Sequence, residues 1–313
     1  MRAVRLRQLE ILAALAAQPT LARAAAALHL TPSAVSQQIA ALARAAGAPV
    51  LERVGRRLVL TPAGEVLARA AAAVQAELRR AAEELAAQRG LAQSLLSVGV
   101  ISAGDSFLPA LLARYCEGRR GVRVALAVCN REELIRRLVE DRCDLAVMSH
   151  PPAASRFLAV PFATHPIVLV APAGHPLAQR QRLALGEALA GPVIAREPGS
   201  VTRAAMDELL RRARLHVSIA FETASNETIK QAVIAGFGVA FLSAHAIGAE
   251  VREGRLAVLD VRGLPVRRRW YTVVRRGRRL PPAAAGFATF LHEEGERELL
   301  RTVPKELRAL WSR

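Results

Sequence analysis

The sequence predicts an α/β chain in three parts: a small winged helical unit, one long helix, and two α/β lobes. Three observations predict it. Apolar residues in the first 60 positions recur at helical spacing and end in a hairpin signal. Between Leu67 and Leu85 they alternate four and three apart, the heptad pattern. From about residue 94, strand-like runs alternate with helical ones, as in βαβ units. The expected boundaries are 1–62, 63–90 and 91–313. The last part divides into one lobe of about 91–162 and 268–300, and a second of about 163–267.

Composition limits what these parts can do. The 313 residues are 52% hydrophobic, which suits packed domains. The net charge of +17 suggests an acidic partner such as nucleic acid, a membrane surface or an anionic ligand. An arginine-rich solvated surface is the alternative reading of the same charge. Cys116, Cys129 and Cys143 are scattered and odd in number, which argues for a reducing compartment and against a disulfide frame or a cysteine metal site. Glu10 interrupts the apolar run at the amino terminus, so a signal peptide is not expected. No run approaches the ~18 uncharged apolar residues of a membrane span. A cytoplasmic protein is expected, with no membrane partner, metal or cofactor.

The elements follow in order. Leu9, Leu12 and Ala16 give a first helix one stripe. Thr20 can cap a second helix that stops near His29. Thr31 before Pro32 is the favoured pairing of N-cap and first helical residue, and the third helix should end before Gly47. "VLERVGRRLVLTPAGE" reads as a hairpin around Gly55-Arg56-Arg57. The heptad seam is Leu67, Ala71, Val74, Leu78, Ala81 and Leu85. It fits a helix packed on its own domain or one paired with a second copy, and the second is favoured. Beyond Gly90, "SLLSVGVIS", "VRVALAVC", "DLAVMS", "PIVLVAPAGHP", "GPVIARE", "HVSIAFETA", "VAFLS" and "RWYTVVRRG" read as strands with helices between, implying parallel sheets. Two such lobes joined by crossing segments leave a cleft.

The third helix, at about 100° per residue, turns Val35, Ile39 and Leu42 inward and Ser33, Gln37, Ala40 and Arg44 outward, with Ser36 on the flank. A slim polar face of this kind fits the major groove, where Gln can pair with adenine and Ser can serve a base or phosphate. With the preceding helix and turn it completes a helix-turn-helix, and Arg56 and Arg57 at the hairpin tip would meet phosphates or the minor groove. Double-stranded promoter DNA is therefore the expected partner.

These residues also carry a resemblance. "LARAAAALHLTPSAVSQQIAALARAAGAPVLERVGRRLVLTPAGE" resembles the DNA-binding region of the LysR-type transcriptional regulators. Its marks are Ala24-Ala25, Leu28, Thr31, Ala34-Val35-Ser36-Gln37, Leu51-Glu52-Arg53 and Leu60-Thr61-Pro62-Ala63-Gly64. The family usually has Gln at Pro32 and Phe at Leu51. The resemblance covers essentially the whole chain. It implies a winged helix-turn-helix, a dimerising linker helix and a two-lobed α/β effector domain like that of periplasmic binding proteins. It further implies DNA contacts at Thr31, Pro32, Ser33, Ser36, Gln37, Arg44, Arg53, Arg56 and Arg57, homodimers or homotetramers, and RNA polymerase as a further candidate partner. "REPGSVTRAAMDELL" and "TASNETIKQAVIAGFGVAFLSAHAI" are similar to regulators of Calvin-cycle carbon-fixation operons. For those the resemblance implies NADPH or phosphorylated metabolites as effectors.

Three segments lie where a strand is expected to give way to a helix, and the resemblance implies that they meet at the cleft: Ser102-Ala103-Gly104, Pro198 to Arg203, and Ser225-Asn226. Free helix N–H groups, the hydroxyls of Ser200, Thr202 and Ser225, and the charge of Arg203 favour a small anion. The site residues are Ser102, Ala103, Gly104, Gly199, Ser200, Thr202, Arg203, Ser225 and Asn226. Ordinary capping explains each segment alone. Asp105 is a departure, a carboxylate that could cap the following helix and compete with the anion. No catalytic residue is expected: the chain lacks H-E-x-x-H, a Walker loop, G-x-S-x-G and G-x-G-x-x-G. The alternatives are a regulator of an unrelated pathway with an amino acid or neutral effector, a two-lobed solute-binding protein, or an enzyme.

Overall fold

A computed structural model of the protein describes residues 4–17, 20–54, 57–88, 94–119, 121–153 and 155–312. The chain folds as two compact units. One comprises the described part of Met1–Ala92 with Val139–Arg142, the other Gln93–Leu138 and Cys143–Arg313.

The first unit has helices α1 (Leu6–Ala17), α2 (Leu21–Ala27) and α3 (Pro32–Ala46), a hairpin of β1 (Leu51–Val54) and β2 (Arg57–Leu60), and the long α4 (Pro62–Gln88). Thr20 and Thr31 cap as expected, accepting from the backbone N–H of Arg23 and Ala34. Gly47 closes α3 at φ +74°, a left-handed position that glycine adopts without strain. Val35, Ile39 and Leu42 are buried with Ile11, Leu12, Leu15, Ala24, Ala25, Val50 and Leu67 in one core. Leu51, where the family usually has Phe, packs partly buried against it.

Two expectations are corrected here. The buried stripe of α1 is Gln8, Ile11, Leu12 and Leu15, not Leu9, Leu12 and Ala16; Ala16 is exposed. The alanines of α1 allowed either stripe, and the larger Ile11 and Leu15 win the core. The heptad seam of α4 is also divided. Leu67 and Ala71 are buried within the unit, whereas Val74, Leu78 and Leu85 are exposed at 39%, 49% and 54%. Only the later part of the seam is open to a partner.

The second unit is built on a nine-stranded sheet. Its strands are β3 (Ser94–Ile101), β4 (Val122–Cys129), β5 (Leu145–Met148), β6 (Phe157–Pro172), β7 (Val193–Arg196), β8 (Ile219–Thr223), β9 (Val239–Ser243), β10 (Leu256–Val258) and β11 (Val266–Arg275). The helices are α5 (Leu108–Cys116), α6 (Arg131–Val139), α7 (Leu185–Ala188), α8 (Val201–Ala213), α9 (Asn226–Ile234), α10 (Gly248–Arg252), α11 (Pro282–Thr302) and α12 (Lys305–Ser312). The order is β4-β3-β5-β11-β6-β9-β7-β8, with β10 on β6.

Each lobe has a parallel core, β4-β3-β5 in the first and β9-β7-β8 in the second. The expected all-parallel sheet is corrected between them. β6 and β11 are longer than their apolar runs suggested and pair antiparallel from Phe157–Arg275 to Ile167–Val266. They carry the chain into the second lobe and back, so they run in opposite directions. Ile167 to Ala171 are all buried, as a strand covered on both faces requires. α11 returns to the first lobe, where Tyr115 packs on Phe287 at 5.2 Å and donates its hydroxyl to Ala283 O at 3.0 Å.

Candidate functional sites

The outer face of α3 carries Ser33, Ser36, Gln37, Ala40 and Arg44, all exposed, with Thr31 and Pro32 exposed at its start. The helical repeat that buries Val35, Ile39 and Leu42 sets this face outward. Thr31 already accepts from Ala34 N at 3.2 Å, which leaves its hydroxyl proton to donate. Arg53 is exposed on β1, and Arg57 opens β2 opposite Val54. Gly55 and Arg56 lie outside the described residues. The charge is distributed differently from the simple expectation. Residues 1–92 hold 12 Lys and Arg against 6 Asp and Glu, whereas residues 93–313 hold 32 against 21. Most of the net charge of +17 thus lies outside the helix-turn-helix, and total charge alone is a poor pointer to it.

In the second unit, two of the three expected segments touch directly. Asn226, the first residue of α9, donates from Nδ2 to Ser102 O at 3.0 Å. Both residues meet a side chain that sequence reasoning missed. Arg196, the last residue of β7, is 3% exposed. Its Nη1 donates to Asn226 Oδ1 and its Nη2 to Ser102 Oγ at 2.9 Å. Glu197 supplies the countercharge at 2.8 Å from Nε. Ser102 belongs to the first lobe, Arg196 and Asn226 to the second, so a buried guanidinium stands where the lobes meet. "GPVIARE" reads as a strand, and nothing in its pattern separates Arg196 from a solvated strand end. Its burial was the missing signal.

The third segment reaches this point through the backbone. Arg203 donates from Nη1 to Arg196 O at 3.0 Å. Ser200 is the N-cap of α8, accepting from Arg203 N, and Ser225 caps α9, accepting from Thr228 N. Gly199 takes φ +89° in the turn before α8, and Thr202 is buried in its first turn.

Three expectations are corrected. Ser102-Ala103-Gly104 is a short 3-10 turn that does not open α5, which starts at Leu108. Ala103 and Gly104 are buried there, and a Cβ on Gly104 would come 2.6 Å from Val100 Cγ2. Arg203 offers little net charge to an anion, because Asp207 at 3.0 Å and Glu222 at 2.7 Å already pair with it. Asp105 does not cap α5: it closes the 3-10 turn, and Phe107, with no side-chain cap, precedes the helix. Burial raises the Asp105 carboxyl above its usual range, opposed by the Ser106 N–H and by the charges of Lys230 and Arg196. Lys230 is itself held between Glu250 at 2.7 Å and Glu227 at 2.8 Å.

Among the described residues no helix is long and apolar enough to cross a membrane, and no group of three or more His, Cys, Asp or Glu could hold a metal ion. Comparison with known proteins gives the identity of the parts. Residues 6–65 match the model for the bacterial regulatory helix-turn-helix protein, lysR family, and residues 89–296 match that for the LysR substrate binding domain. The RuBisCO operon transcriptional regulator of Acidithiobacillus ferrooxidans is 39% identical over 286 residues, covering 91% of this chain and 93% of that one. The HTH-type transcriptional regulator CbbR of Xanthobacter flavus is 40% identical over 292 residues, covering 93% and 88%. The regulatory domain of Synechocystis PCC6803 CcmR, solved in complex with 2-PG, superposes with TM-score 0.61 at 33% identity, covering 64% of this chain and 96% of that one. Full-length CbnR, solved with its target DNA, has the same fold, with TM-score 0.67 at 21% identity and coverage of 96% and 100%. The chain belongs to the LysR family and is a DNA-binding transcriptional regulator.

Proposed function

We propose that this regulator controls carbon-fixation genes from the cytoplasm, where its promoter DNA lies, and responds to a small anion held between its lobes. The observation that carries the effector reading is Arg196, a buried guanidinium bonded to Ser102 of one lobe and Asn226 of the other. A buried guanidinium keeps its charge and offers a fork of donors matched to a carboxylate or phosphate, which favours an anion-handling role at this junction. Ser102, Ala103, Gly104, Gly199, Ser200, Thr202, Ser225 and Asn226 would surround the ligand, and the relatives named for RuBisCO operons and CcmR with 2-PG support a phosphorylated metabolite. A ligand shifts an equilibrium only by binding one arrangement better than another, and lobes joined by two crossing strands can differ in closure. A thermal-shift screen of NADPH, sugar phosphates and small carboxylates, followed by promoter footprinting, tests this reading. It fails if no anion moves either the melting point or the footprint.

On the DNA side, Thr31, Pro32, Ser33, Ser36, Gln37, Arg44, Arg53, Arg56 and Arg57 form the proposed contact set. A bidentate base contact gives about 1–3 kcal/mol of discrimination. Gln37→Ala is therefore expected to lose roughly 5- to 150-fold in preference for the target over unrelated duplex, read by gel-shift titration; unchanged selectivity would remove Gln37 from the base-reading set. For assembly, we infer pairing through Val74, Leu78 and Leu85 of α4, whose exposed apolar side chains a second helix would cover. Leu78→Asp is expected to convert dimers or tetramers to smaller species in light scattering at micromolar concentration. A wild-type monomer under those conditions would contradict the inference. The segments 1–62, 63–90 and 91–313 are proposed as DNA-binding, linker and effector domains, with RNA polymerase as a further partner.

A further inference from the structure

We propose that Glu197 is a built-in competitor for the effector anion, so that its carboxylate sets both the threshold and the selectivity of the response. The proposal rests on the reading of Arg196 as the group that meets the anion. Glu197 holds Arg196 at two points, with Oε2 2.8 Å from Nε and Oε1 3.0 Å from Nη2. This is the paired fork with which a guanidinium binds a carboxylate or a phosphate. The second lobe's Asn226 takes Nη1, and Ser102 takes Nη2 as well. Of the five N–H donors of a guanidinium, one is then left. An incoming anion gains a full fork only if Glu197 gives it up.

The two side chains differ in their freedom to do so. The Arg196 side chain is 2% exposed and that of Glu197 is 30% exposed. Arg196 is the last residue of β7 and is anchored from both lobes. Glu197 lies just beyond the strand, in the turn closed by Ser200 N to Glu197 O at 3.3 Å. Its carboxylate can rotate outward while the guanidinium stays in place. Exchange of one anion for another keeps the buried charge paired throughout, so neither the free nor the bound protein holds an isolated guanidinium.

Effector affinity then becomes a difference between two contacts on one fork. A monocarboxylate offers the same charge as Glu197 and pays the loss of that contact without gain. A phosphate monoester carries more charge and a third oxygen, and it wins the exchange. Glu197 would thus act as a filter that admits phosphate esters and rejects simple carboxylates.

Phosphoglycolate and glycolate, which differ by one phosphoryl group, test this on the full-length protein by calorimetric titration. Glu197→Gln keeps the shape and removes the charge. It is expected to bind phosphoglycolate at least tenfold more tightly than wild type, and to gain measurable glycolate binding. Glu197→Asp keeps the charge but is too short to span the fork, and an intermediate affinity is expected; it also provides the measurement if the glutamine variant does not fold. Arg196→Gln is expected to lose phosphoglycolate binding. If Arg196→Gln loses binding while both Glu197 variants bind as wild type or more weakly, Glu197 is no competitor and the Arg196 reading stands. If Arg196→Gln binds as wild type, the effector reading itself falls and the proposal with it. Absence of binding by every form, the Glu197 variants included, overturns both.

Discussion

Gly64→Val is expected to reduce promoter affinity at least 100-fold and to melt the DNA-binding unit well below the second unit. A Cβ at this position would lie 2.0 Å from Val50 O and 2.9 Å from Val50 C. Both are backbone atoms, so no rotamer change relieves the clash. The surrounding structure cannot easily move away. Thr61 donates its hydroxyl to Pro49 O at 2.6 Å and accepts from Gly64 N at 3.1 Å, and its own N–H bonds Val50 O at 3.2 Å. The first turn of α4 is thereby fixed to the segment leaving α3, and through it the recognition face, hairpin and linker share one anchor. Overpacking a fixed site costs about 1–3 kcal/mol, more where backbone must shift, a large share of the stability of a small unit. The measurement is a two-transition melt beside a gel-shift titration. Wild-type affinity in Gly64→Val would show that the anchor is dispensable.

Acid is expected to unfold the second unit, starting below about pH 6.5. His165 and His245 are buried beside Trp270 where the crossing strands meet, with His165 stacked on the indole at 4.3 Å. Among the described residues neither ring nitrogen of His165 has a hydrogen-bond partner, while His245 Nε2 lies 3.2 Å from Thr164 O. Burial, reinforced by His245 and Arg268, pushes His165 well below its ordinary value, and burial brings His245 down to about 4. The unfolded chain therefore binds protons that the folded chain refuses. The stability held by the neutral rings is complete above pH 6.5 and falls by about 1.4 kcal/mol per pH unit per ring, until the folded value is passed. His165→Phe, a ring without buried nitrogens, is expected to hold or raise the melting temperature at pH 7.5 and to move the acid midpoint lower. Coincident acid midpoints for the two proteins would rule out His165 as a contributor.

The fold was most legible where one side chain has one outcome. Thr31 before Pro32 caps α3 because cap geometry and proline's fixed φ agree, and Val35, Ile39 and Leu42 fall inward because they are the large apolar side chains of that helix. It was least legible where several residues compete on equal terms, as among the alanines of α1. The seam of α4 shows a different limit. A heptad is the same pattern whether Leu67 meets α1 or another chain, and only the buried Leu67 and exposed Leu78 separate the two uses. At the effector site the caps Ser200 and Ser225 were readable from local rules. Arg196 was not, because its meaning depends on Ser102, 94 residues away.

The crossing of β6 and β11 also dictates an order of events during synthesis. β5 has β3 on one side and β11 on the other, and β11 begins at Val266. The first lobe's opening strand, at Ser94, is thus made long before the strand that completes its sheet. While the ribosome adds the intervening residues, β5 presents an unpaired, fully apolar edge that can add a strand from any neighbouring chain. The core around the helix-turn-helix, by contrast, is closed by residues at the start of α4, Leu67 among them. The sensor's sheet thus depends on pairing between segments far apart in sequence, which is expected to make it the slower-folding part of the chain.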